Sequence, residues 1–138
     1  MNIGGYITFV LIGFVIAQIV RAIWYSRFVF GKLWMKANNK DQMLIKMERE
    51  KGMKKILAVS VVGSLVATIA VLLYAQTVSY LFWYEAILHG VCITVIFAGA
   101  SALSNYAYEN RSLVSWAIFY GYLSVVVSLQ MMLFVFFL

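Results

Sequence analysis

Apolar residues run almost without interruption from Ile3 to Tyr25, Ile56 to Ala75, Ala86 to Ala107 and Leu113 to Phe137, and the charged residues gather between these runs. A helix rises about 1.5 Å per residue, so each run is long enough to cross a hydrocarbon core of about 30 Å. In lipid, only helices and closed barrels satisfy every backbone N–H and C=O. No run alternates as a barrel strand does. The pattern therefore predicts an all-α membrane protein with four spanning helices over 3–25, 56–75, 86–107 and 113–137, in one domain covering 1–138. The short second and third connections predict an antiparallel up-and-down four-helix bundle.

Between helices in lipid the hydrophobic force is weak, so small residues at spacings of three and four are the expected contact faces. Those faces are Gly13, Ala17 and Arg21 in the first span and Ser60, Gly63, Ala67 and Ala70 in the second. In the third they are Gly90, Thr94, Ala98 and Ser101, and in the fourth Ala117, Gly121, Ser124 and Ser128. Val127 is expected on the lipid side. Proline is absent, which removes the commonest cause of a kink and argues against a transporter built on broken helices. The start, Met1-Asn2-Ile3-Gly4-Gly5, lacks the basic segment of a signal peptide, so the first run is expected to be a permanent span.

Composition agrees with this reading. The chain of 138 residues is 64% hydrophobic and only 12% charged, against about 25% charged in soluble domains. Mean hydropathy is +0.92. Nine of the eleven cations lie in the 26–55 loop: Arg27, Lys32, Lys36, Lys40, Lys46, Arg49, Lys51, Lys54 and Lys55. The positive-inside rule puts this loop in the cytoplasm and both termini outside. The expected partners are membrane lipids, with anionic headgroups at the 26–55 loop, and a second copy of the chain. No nucleic-acid module is visible.

Within the loop, Phe28, Phe30, Leu33, Trp34 and Met35 interleave with Arg27, Lys32 and Lys36, as in a segment lying among headgroups. Asp41 is placed to cap a short helix with Leu44 and Met47 on one face and Lys46 and Glu50 on another. Trp24, Tyr25 and Trp34 form an expected inner aromatic belt, and Tyr74, Tyr80, Phe82, Trp83 and Tyr84 an outer one.

Charged groups at bilayer depth are costly and are the default functional suspects. Gln18, Arg21 and Tyr25 share a face of the first span, and Ser101, Asn105 and Glu109 share a face of the third. Gln18, Arg21, Tyr25, Asn105 and Glu109 thus form a candidate polar cluster at the cytoplasmic side. Arg21 and Glu109 have matched depth and opposite charge, and three readings fit them: a structural ion pair, snorkelling of Arg21 to the surface, or a substrate or ion site. A weaker outer candidate is Glu85 with His89, one turn apart, and Cys92 beyond; a carboxylate beside an imidazole forms a proton-responsive pair or two metal ligands. Cys92 reads as a small buried residue. No catalytic triad, phosphate loop or zinc motif occurs, so neither enzyme activity nor a cofactor or metal is expected.

Two blocks carry a family resemblance. Trp24-Tyr25-Ser26 followed by Phe30-Gly31-Lys32-Leu33-Trp34-Met35-Lys36, and Asn105-Tyr106, Glu109-Asn110-Arg111-Ser112-Leu113 and Gly121-Tyr122, resemble the two signatures of a widespread bacterial family of small four-helix membrane proteins whose domain has no known function. Arg27 stands where proline usually follows the serine, Asn110 where glycine is usual and Ser112 where proline is frequent. The resemblance implies that the blocks converge on the cytoplasmic side. Together these readings predict a multi-pass protein of the bacterial cytoplasmic (inner) membrane that self-associates and handles a small solute, ion or lipid. The alternative is a non-transporting accessory or structural protein whose basic loop docks lipid or a partner.

Overall fold

The computed structural model describes residues 1–79 and 82–137, and every regular element among them is helical. Helix α1 covers Ile3–Trp24, α2 Gly31–Ala37 and α3 Gln42–Thr77. The third span joins α4 (Trp83–Val91), a π-helical segment (Cys92–Gly99) and α5 (Ala100–Tyr108); α6 is Leu113–Phe137. Four of these helical stretches, Ile3–Trp24, Gln42–Thr77, Trp83–Tyr108 and Leu113–Phe137, are long and apolar enough to cross a membrane.

The chain alternates direction from span to span. Phe9 packs on Phe134 while Ala17 packs on Tyr122 and Val126, so α1 and α6 run antiparallel. Thr68 meets Gln130 and Leu72 meets Phe134, so α3 and α6 run parallel. The four helices do not share the core equally. Helix α6 contacts every other long element, whereas α3 lies in the groove between α1 and α6. Tyr80, expected in the outer belt, lies outside the described residues.

Local chemistry explains the boundaries. The Asn2 side chain accepts from the Gly5 N–H at 2.8 Å and caps α1. Asp41 is a cap as expected, accepting from the Leu44 N–H at 2.6 Å, but the helix it caps is the long α3 and not a short one. That helix begins in the loop, fourteen residues before the apolar run, and continues into the second span. Gly52 interrupts it with a non-helical φ of −146° and ψ of 28°, separating the charged turns from the spanning ones. Between α5 and α6, Asn110 has φ 54°. Glycine and asparagine enter this left-handed region most readily, which is why asparagine serves in that turn.

Two contact faces differ from expectation. In α3 the buried residues are Ser64, Thr68, Leu72 and Ala75, while Gly63, Ala67 and Ala70 face outward. Both stripes have helical spacing, and the inward one is chosen because Thr68 Oγ1 accepts a hydrogen bond from the Gln130 amide. In α6, Val127 is buried against Ala86 and Met131, not lipid-facing, and Ala117 is exposed. Because α6 is the central helix, more than one of its faces is covered.

The third span shows a different departure. Its inward residues are Ala86, Gly90, Thr94, Gly99 and Tyr106. The step from Thr94 to Gly99 is five residues, as i to i+5 hydrogen bonding produces. Beyond it the inward register is displaced by one position from the expected Ala98 and Asn105, about 100° around the axis. Ser101, Asn105 and Glu109 are therefore exposed.

Candidate functional site

The polar groups expected to meet at one end of the bundle divide into two sets. Arg21, in the last turn of α1, points at α3: it donates to Ser60 Oγ and, at 3.3 Å, to Ser64 Oγ. The serines are four residues apart and lie on the face of α3 toward α1. The guanidinium also lies 5.6 Å from the centre of the Tyr122 ring. Glu109, the residue closing α5, instead meets its neighbour Arg111 at 3.4 Å, and both are well exposed. The sequence-based pairing of Arg21 with Glu109 is thus replaced by Arg21 with two hydroxyls, because the π segment turns the α5 face away. Among the described residues, no carboxylate lies within ion-pair distance of Arg21.

The two sequence blocks nevertheless converge through aromatic residues. The Trp24 indole donates to the Ile118 carbonyl at 2.9 Å, and its ring covers Gly121. Tyr25 and Tyr122 have ring centres 5.8 Å apart, and Tyr25 meets Trp34 edge-to-face at 6.0 Å. Trp24 also packs on Phe30 at 4.6 Å. Between these rings the chain turns back sharply after Ser26. A Cβ at Gly31 would lie 2.5 Å from the Tyr25 carbonyl oxygen and 2.6 Å from that of Ser26, so only glycine fits. Asn38 then ties α2 to α6, its amide reaching Ser115 Oγ at 3.2 Å. The expected headgroup segment is therefore a short helix fastened to the bundle.

These attachments hold α2 and the start of α3 around an open cavity of about 980 Å³. Arg21 reaches it from α1 and Tyr25 from just beyond it, Trp34 from α2, and Lys46, Arg49 and Met53 from α3. Five of its lining side chains are cationic and two, Glu48 and Glu50, are anionic. Glu48 is occupied by Lys40, 2.9 Å away. Arg27 is partnered by Gln42, whose side-chain oxygen, in the orientation that satisfies both groups, accepts from its Nη2 at 3.2 Å. The cavity thus carries cationic surplus beside aromatic and apolar walls.

Gln18 lies one turn deeper than Arg21. Its amide nitrogen is buried with no hydrogen-bond partner. A second amide, Gln130, fills the middle of the bundle, which the sequence reading passed over. It donates to the Gly13 carbonyl at 2.9 Å and to Thr68 Oγ1 at 3.0 Å, joining α1, α3 and α6. An amide isolated in an apolar run was the available signal, since such a group needs a partner in lipid.

At the opposite end, the weaker candidates each meet a neighbouring group. The Glu85 carboxylate accepts from the Phe82 N–H at 3.1 Å, holding the start of α4. His89 Nδ1 lies 3.3 Å from the Tyr74 hydroxyl and so bridges α4 to α3. Among the described residues, no group of three or more His, Cys, Asp and Glu side chains is placed to hold a metal.

Residues 8–135 match the family described as protein of unknown function (DUF1761). The match covers nearly the whole chain, and the protein belongs to this family. No curated protein and no solved structure matches it.

Proposed function

We propose that this member of the family is a multi-pass protein of the bacterial cytoplasmic membrane that binds a small amphiphilic or anionic ligand at the loop end of its bundle. The observation that carries the reading is the open cavity beside Arg21, whose guanidinium is held by Ser60 and Ser64 and by no carboxylate among the described residues. Loop cations favour a cytoplasmic loop.

A binding role is favoured over permeation by the middle of the bundle, where Phe9, Thr68, Gln130 and Met131 are fully buried and interlocked. Reconstituted protein lacking Cys92 tests this. A cysteine at Met53 should react with a small impermeant thiol reagent, and one at Thr68 should not. Rapid modification at Thr68 would reveal a water path and restore the transport reading.

The accessory role is the second reading. The same cavity and the tightly fastened α2 would then present the loop to lipid or to a partner. Self-association has an available surface in the outward stripe Gly63, Ala67 and Ala70 of α3.

A further inference from the structure

We infer that the loop-end cavity is a phospholipid headgroup site in which Arg21 anchors the phosphate of an anionic lipid; the inference rests on the ligand-binding reading above. Depth supports it first. Arg21 is eighteen residues from the start of α1, so it lies about 27 Å along the helix, near the far edge of a 30 Å hydrocarbon core. Its Cα thus lies just inside the core edge, within a side chain's length of the phosphates beyond it.

Charge supports it second. Arg21 keeps its fork oriented by two hydroxyls that do not neutralise it. Guanidinium groups suit phosphate oxygens because they present several donors in one plane. Arg49 and Lys46, on the charged turns of α3, stand on the same cavity wall and outnumber its Glu50, while Glu48 is already engaged by Lys40. A phosphate entering here meets donors with charge to spare.

The walls distinguish a lipid from a soluble phosphate. Ala22, Met53 and Ile56 line the cavity and are themselves exposed between α1 and α3. They continue the cavity sideways into the apolar surface of the spans, where acyl chains would lie. Phe28, 98% exposed, and Leu33 are also exposed in the same loop. Aromatic and aliphatic side chains so placed enter the headgroup boundary and seat the basic loop against it. The opening therefore offers cations to a headgroup and a greasy exit to its tails.

The test uses the full chain in neutral detergent, with melting followed during titration. Short-chain phosphatidylglycerol should raise the melting temperature saturably. Short-chain phosphatidylcholine, with the same tails, and inorganic phosphate, with no tails, should raise it little. Arg21→Gln should weaken the phosphatidylglycerol effect by about fivefold or more, whereas Lys54→Gln with Lys55→Gln, outside the cavity, should leave it unchanged. If Arg21→Gln does not fold, Arg49→Gln with Lys46→Gln on the exposed wall should show the same weakening.

Stabilisation by inorganic phosphate equal to that by phosphatidylglycerol would overturn the lipid assignment while keeping an anion site. Equal losses in the cavity and the Lys54/Lys55 variants would reduce the effect to diffuse attraction and overturn the site. No response to either anion would also overturn it. The thiol-accessibility result at Met53 and Thr68 stands apart from all three outcomes and judges the broader ligand-binding reading.

Discussion

Gly90 in α4 lies directly against the backbone of Ser128 in α6: a Cβ on Gly90 would fall 2.7 Å from Ser128 Cα and 2.8 Å from its nitrogen. Ser128 Oγ donates to the Ile87 carbonyl at 3.2 Å across the same contact. Two helix backbones approach this closely only when one side chain is absent, so the glycine sets the distance between the third and fourth spans.

Gly90→Ala should accordingly destabilise the fold by about 1 to 3 kcal/mol through overpacking against backbone that cannot yield. Gly63→Ala, where nothing lies within 4 Å, should be neutral or slightly stabilising, since alanine is the better helix former. Melting in detergent compares them. Equal effects would mean that α4 and α6 are not in this contact.

Gln130→Met keeps the side-chain length and removes the amide that links Gly13 and Thr68. Interhelical hydrogen bonds in membranes average about 0.6 kcal/mol and reach about 1.7. A loss in this range is expected, and Thr68→Val should cost little more when combined with it. A double-mutant cycle reads the coupling; full additivity would separate the two residues.

Arg21 should couple to Ser60 and not to Glu109. Replacing Glu109 with glutamine, at an exposed position, should change the melting temperature little, whereas Ser60→Ala with Ser64→Ala removes the hydroxyls that hold the guanidinium and should destabilise. Strong non-additivity between Arg21 and Glu109 would reinstate the pairing expected from sequence.

The loop cations predict a cytoplasmic loop. Cysteines at Lys46 and Val78 in a Cys92-free protein should label from opposite sides of the membrane with an impermeant reagent. Labelling of the Lys46 position from outside intact cells would reverse the topology.

Length and apolarity alone determined the four spans, because a hydrocarbon core demands about 20 apolar residues whatever packs beside them. The Asp41 cap was also legible, since capping is local, and the family resemblance implied that the two sequence blocks converge. Which stripe of a span faces inward was not. Ser64 and Thr68 compete with Gly63 and Ala67 at the same helical spacing, and only the presence of Gln130 across the interface decides between them. Similarly, no local pattern announced the five-residue step from Thr94 to Gly99. That step depends on α6 filling the wider turn, where the Trp116 indole donates to the Gly99 carbonyl at 2.9 Å. It rotates Asn105 and Glu109 outward and leaves Arg21 to the serines of α3. Periodicity assumes a constant 3.6 residues per turn, so a change of pitch imposed by a neighbouring helix is decided in the tertiary structure alone.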